Sequence, residues 1–126
     1  MVQTDISQLL RECNQWRETL HSYRDEFNQL KGDLQQVANK SFSKEQLTEL
    51  EHYQNQLHIQ LINIHDLKQS VKAHDKRVNF EVSINGGQTT DETYADHENL
   101  YESYQTLEQT LTDLRSNFSR FVGELQ

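Results

Sequence analysis

The side chains of this 126-residue sequence that could hold a metal ion or move a proton are six histidines, one cysteine and twenty acidic residues. Two Glu-x-x-His pairs, Glu18/His21 and Glu49/His52, have the local spacing with which ferritin-like bundles present carboxylate and imidazole to a pair of iron ions. Such a centre needs ligands that project inward from several helices. In the heptad frame described below, both pairs fall at b, c and f positions, which point away from a bundle core. His58 and His65 both fall at e, seven residues apart and too distant to share one zinc ion; they read as half-buried residues flanking a seam. Cys13 falls at an a position, where a thiol fills core volume rather than serving as a nucleophile. One mixed group remains: Tyr94, His97, Tyr101 and Tyr104, joined by Trp16 and His74 if the chain folds back on itself. Rings at helical spacing line a core more often than a recognition surface. No phosphate-binding glycine loop, dinucleotide fingerprint or nucleophile elbow occurs. No catalytic, metal or cofactor residues are therefore assigned, and a non-enzymatic protein is expected.

The elements that would position these residues follow from hydrophobic periodicity. Ile6, Leu9, Cys13, Trp16, Leu20, Tyr23, Phe27, Leu30, Leu34 and Val37 keep an unbroken alternation of three and four, with Ile6 at a and Leu9 at d. A second such seam runs through His97, Leu100, Tyr104, Leu107, Leu111, Leu114, Phe118, Phe121 and Leu125, interrupted only by His97. Between them, Leu47, Leu50, Leu57, Leu61, Ile64, Val71 and Val78 hold the frame, while Gln54, Lys68 and Asp75 break it. A period of 3.5 predicts left-handed coiled-coil packing. The chain has no proline, the residue that most often kinks or ends a helix.

Local chemistry marks the breaks. Ser43 and Gln46 can form a capping box, with Phe42 and Leu47 as its hydrophobic staple. Gly86 and Gly87, within Ser83 to Thr90, mark a second break, after which Thr89 or Thr90 caps a helix whose first turn carries Asp91 and Glu92. The alternation of Val78, Phe80, Val82 and Ile84 resembles a strand, but no partner strand follows, and a fraying helix end is preferred. The expected fold is all-α: one domain over 1–126, an elongated antiparallel up-down-up three-helix bundle with helices at about 4–40, 43–82 and 90–125. At 1.5 Å per residue these helices are about 50 to 60 Å long. A long hairpin whose third helix packs in a dimer is the alternative.

The net charge of −8 sits mainly in the third segment, where only Arg115 and Arg120 oppose eight acidic residues. An acidic chain is a poor general binder of nucleic acid. No apolar run reaches the roughly 18 residues of a membrane span, no secretory leader is recognisable, and a single cysteine fits a reducing, cytoplasmic setting. Lys68, Lys72, Lys76 and Arg77 form a basic cluster at the end of the second helix. It is expected to be neutralised by Asp91, Glu92, Asp96 and Glu98, with an anionic partner as the sharper reading. Ile59 and Ile62 lie off the a/d seam and call for a second buried face. That suggests self-association as a homodimer, with His58 and His65 flanking the contact.

Glu51-His52-Tyr53-Gln54-Asn55-Gln56, followed by Ile64-His65-Asp66-Leu67-Lys68, resembles a pattern in short bacterial helical proteins that have no assigned activity. The resemblance covers about residues 9–78 and implies a helical fold; if the motif is functional, His52, Gln54, Asn55 and Gln56 form a polar patch. The expectation is a helical protein–protein interaction module (adaptor, scaffold or small chaperone). A bundle that binds a metal or small ligand and a binder of anionic partners are the alternatives.

Overall fold

The computed structural model describes residues 5–38, 40 and 42–125. They form three helices, α1 (Ile6–Val37), α2 (Lys44–Ile84) and α3 (Asp91–Leu125), and the fold is the expected all-α three-helix bundle. Each boundary has a chemical cause. Asp5 accepts the Ser7 N–H at the start of α1. The capping box is complete: Ser43 Oγ accepts the Gln46 N–H and Gln46 Oε1 accepts the Ser43 N–H, so two orphan donors at the start of α2 are satisfied. Leu47, the helical half of the expected staple, is 46% exposed, while Phe42 packs against the core. The stretch from Val78 to Ile84 continues α2 as helix and does not fray. It ends at Gly86 and Gly87, with φ of +63° and +90°, and the Gly87 N–H reaches back to the Val82 carbonyl at 3.0 Å. This is the six-to-one bond of a Schellman turn, which requires a left-handed residue that glycine adopts without steric cost. Thr90 is the residue that caps α3, accepting the Thr93 N–H at 3.2 Å.

The a/d seams of α1 and α3 bury Leu9, Cys13, Trp16, Leu20, Phe27 and Leu34, and His97, Tyr104, Leu107, Leu111, Phe118 and Phe121. α2 departs from that pattern. Its d row of Leu50, Leu57, Ile64, Val71 and Val78 is buried, but its second buried row is Gln60, His74 and Glu81 at g. The reason is that α2 serves two neighbours. Its a residues face α1, where Lys68 meets His21 and Asp75 meets Arg17. Its g residues face α3, where Tyr53 stacks on Phe121 and Glu81 bonds Thr93. The interruptions at Gln54, Lys68 and Asp75 thus mark a solvent-edged flank, not a break in the helix.

Glu81 locks the turn between α2 and α3. Its carboxylate accepts the Thr90 N–H at 3.0 Å and the Thr93 hydroxyl at 2.7 and 2.8 Å, and it pairs with Arg77 at 2.9 Å. The Thr90 amide, followed by the Thr93 hydroxyl, holds this carboxyl well below its ordinary range, at about 2. A depressed carboxylate stabilises the fold above its unfolded value and loses that contribution as pH falls through the folded one. Urea unfolding should therefore show stability falling from about pH 4.5 towards pH 2. Glu81→Gln should destabilise the chain at neutral pH by on the order of 1–3 kcal/mol, since it weakens several buried hydrogen bonds at once, and should flatten that acid limb.

Candidate functional site

Folding α2 against α3 about residues 86–87 sets a fixed antiparallel register: Glu81 lies beside Thr93, Arg77 beside Asp96, and His74 beside His97. α1 completes the last of these layers by bringing Cys13 to the histidines. Cys13, His74 and His97 are all buried, one from each helix, and their Sγ, imidazole nitrogen and imidazole nitrogen lie within 4.8 Å of one another. His74 Nε2 is 3.1 Å from His97 Nδ1, and Cys13 Sγ is 4.0 Å from that same nitrogen. Trp16 stacks on His97 with centroids 4.7 Å apart, and Tyr104 and Tyr101 stack in turn on Trp16. Of the mixed group expected at this end of the bundle, Trp16, His74, His97, Tyr101 and Tyr104 are therefore brought together, while Tyr94 packs partly buried against the core.

The electrostatics keep the trio neutral. Burial, with His97 as a neighbour, pushes the His74 pKa below its ordinary value, and burial does the same at His97. Burial also drives the Cys13 thiol up to about 12, assisted by the negative field of Asp75. One polar atom is left over. His97 Nε2 is buried without a hydrogen-bond partner, and the nearest acid, Glu12 Oε1, stands 3.7 Å away, beyond hydrogen-bond length.

The other candidate residues lie elsewhere. Glu18, His21, Glu49 and His52 are exposed, as their heptad positions require. His58 and His65, expected to be half-buried, are exposed, because the e positions of α2 lie at the edge of its contact with α1 and not within it. His52, Gln54 and Asn55 are exposed and Gln56 is partly covered; Gln54, Asn55 and His58 line a groove of about 350 Å³ with Lys31 and Glu51. The basic cluster divides between two flanks. Arg77 turns to α3 and pairs with Asp96 at 2.6 Å, Glu81 and Glu92, while Lys68 and Lys72 line a groove of about 620 Å³ against α1 with Arg17 and His21.

On the outer face of α2, Ile59 and Ile62 are 42% and 47% exposed. Farther along the same face, Phe80 and Ile84 are 63% and 61% exposed. These two were missed because their alternation with Val78 and Val82 imitates a strand. His74 was expected beside the aromatic group but not as part of a buried row of α2, because an a/d reading of that helix omits its g row. The position of the Gly86-Gly87 turn carried the missing information, since it sets His74 opposite His97. No family model matches the chain, and neither does any curated protein or solved structure.

Burial and the high pKa together predict an inert thiol. With the pKa pushed up to about 12 by burial, the thiolate fraction near neutrality falls far below that of a free cysteine. A thiol-reactive disulfide reagent at pH 8 should label Cys13 only slowly in the native metal-free chain and completely in denaturant; rapid native labelling would contradict the buried placement.

Proposed function

We propose that this protein works by helix-mediated protein–protein contact, with a second copy of itself as its first partner and the outer face of α2 as the meeting surface. The observation that carries this reading is the symmetry of that face. Ile59 and Ile62 on one side, and Phe80 and Ile84 on the other, stand at matched distances from residues 71–72. A two-fold axis there, perpendicular to α2, would lay a second α2 antiparallel on the first. Ile62 would then meet Phe80 of the second copy and Ile59 would meet its Ile84. Asp66 would face Lys76, and Gln69 would face Ala73 near the axis. Every one of these side chains is exposed in the single chain. An isologous interface must be self-complementary in this way, apolar against apolar and acid against base.

A single helix pair is a small interface by the standards of specific complexes, so a micromolar dimer is expected. Sedimentation velocity should show a dimer at high micromolar concentration. The double variant Ile62→Asp/Phe80→Asp should be monomeric with unchanged helicity. Asp66→Lys should weaken association about tenfold by placing like charges together, at a cost of about 1.4 kcal/mol, and adding Lys76→Asp should restore it. A wild-type chain that stays monomeric throughout would end the proposal.

A second reading, favoured by the groove between α1 and α2, is docking of an acidic peptide. Arg17, Lys68 and Lys72 put three cationic side chains on that groove against one acid, Glu18, with Arg17 also paired to Asp75. A fluorescent oligoglutamate should then bind at low salt, release as salt approaches physiological strength, and lose affinity on Lys68→Gln/Lys72→Gln; anisotropy that is flat at low salt would exclude it.

A further inference from the structure

We propose that Cys13, His74 and His97 form a three-ligand site for one borderline first-row transition ion of the zinc type, built into the layer where all three helices meet. Thiolate and imidazole are the donors such ions prefer to the carboxylates that suit magnesium and calcium. A tetrahedral ion with bonds of about 2.0 to 2.3 Å holds its donor atoms roughly 3.3 to 3.7 Å apart. The observed spacing is 3.1 Å between the imidazole nitrogens and 4.0 Å from Sγ to His97 Nδ1, with all three donor atoms within 4.8 Å of one another, so a tetrahedral edge is reached by rotating the Cys13 side chain inward. The fourth position is left for water.

The orphaned nitrogen supports the assignment independently of the three ligand atoms. His97 Nε2 is buried, has no hydrogen-bond partner and lies on the Glu12 side of the ring. A lone pair directed at a carboxylate is repelled, so the favoured tautomer of His97 carries its proton on Nε2, facing Glu12. His97 Nδ1 is then the bare nitrogen, directed at His74 and Cys13. That is the tautomer a metal at Nδ1 requires, with a carboxylate placed to tighten onto the ring N–H as metal-bound histidines commonly show. On binding, the Cys13 thiol gives its proton to solvent and becomes the thiolate ligand. His74 moves its proton from Nε2 to Nδ1 and stays neutral. No electron is transferred. A groove of about 370 Å³ between α2 and α3, lined by His74, Ser70, Asn99 and Ser103 among others, gives the ion a route to the histidine edge.

Cobalt(II) titration of the untagged, reduced full chain tests this, because cobalt reports its own ligands. One equivalent should produce a near-ultraviolet thiolate-to-cobalt band and visible bands of tetrahedral intensity, and one equivalent of zinc should erase both. Cys13→Ser should abolish the near-ultraviolet band and His97→Gln should lower affinity at least a hundredfold, while the exposed pair His58→Gln/His65→Gln should leave the titration unchanged. Zinc should also raise the wild-type melting temperature, a readout that does not depend on any variant folding. A wild-type chain with no thiolate band and no zinc-dependent rise in melting temperature overturns the site. So does a spectrum that survives Cys13→Ser or that disappears with the two surface histidines.

Discussion

The structure depends on one row of side chains. Leu50, Leu57, Ile64, Val71 and Val78 recur every seven residues along α2 and are buried along its whole length. α1 packs mostly against α2, and α3 lies along the other side of the same row, so the row must serve both neighbours. A two-stranded coiled coil divides its seam evenly between a and d. A helix pressed from two sides needs a wider stripe, and α2 widens toward g to meet α3. Truncating any of these buried residues would leave a void in the core, where the cavity and lost-transfer costs add.

Widening the stripe toward g places polar groups inside. Gln60, His74 and Glu81 occupy the second row, and each has a partner: Asn63 for Gln60, His97 for His74, and the Thr90–Thr93 turn for Glu81. Buried polar groups without partners are costly, whereas satisfied ones restrict the arrangements a core can adopt. Leucine side chains would permit α3 to slide past α2 by a turn with little loss. Glu81 bonding Thr93, Arg77 pairing with Asp96 and His74 meeting His97 hold together in only one register. The polar row fixes where α3 stops, and the apolar row supplies the driving force.

How much of this could be read beforehand differs by element. α1 and α3 each face the bundle with one narrow seam, and a strict heptad pattern describes them nearly residue by residue. The capping box at Ser43 and the turn at Gly86 were legible because they depend on side chains and glycines acting on their own backbone. α2 was legible only in part, since a helix with two partners superimposes two periodicities and each masks the other. Ile59 and Ile62 were recognisable as outward-facing apolar residues; Phe80 and Ile84 were hidden by apparent strand alternation. His74 beside His97 was legible once the chain was folded back, but the convergence of Cys13 with them lay beyond sequence reading for another reason. The three residues are 61 and 23 residues apart along the chain, and only the register set by the turn and the packing of α1 brings them to one layer.

The outer stripe and the buried trio occupy different rows of α2, one exposed and the other inside the bundle. His74 is buried in the g row, while Ile59, Ile62, Phe80 and Ile84 are exposed at b, c and f positions of the same helix. The two do share α2 as their support. Binding an ion at a layer that joins all three helices stabilises the assembled bundle relative to any state in which α1 or α3 has detached, by the usual linkage of binding to folding. An outward face on a helix that is anchored on both flanks is a better docking surface than the same face on a fraying one, because less conformational entropy is lost on contact. The buried layer can therefore assist the outer surface only through the rigidity of α2, and either can fail without disproving the other.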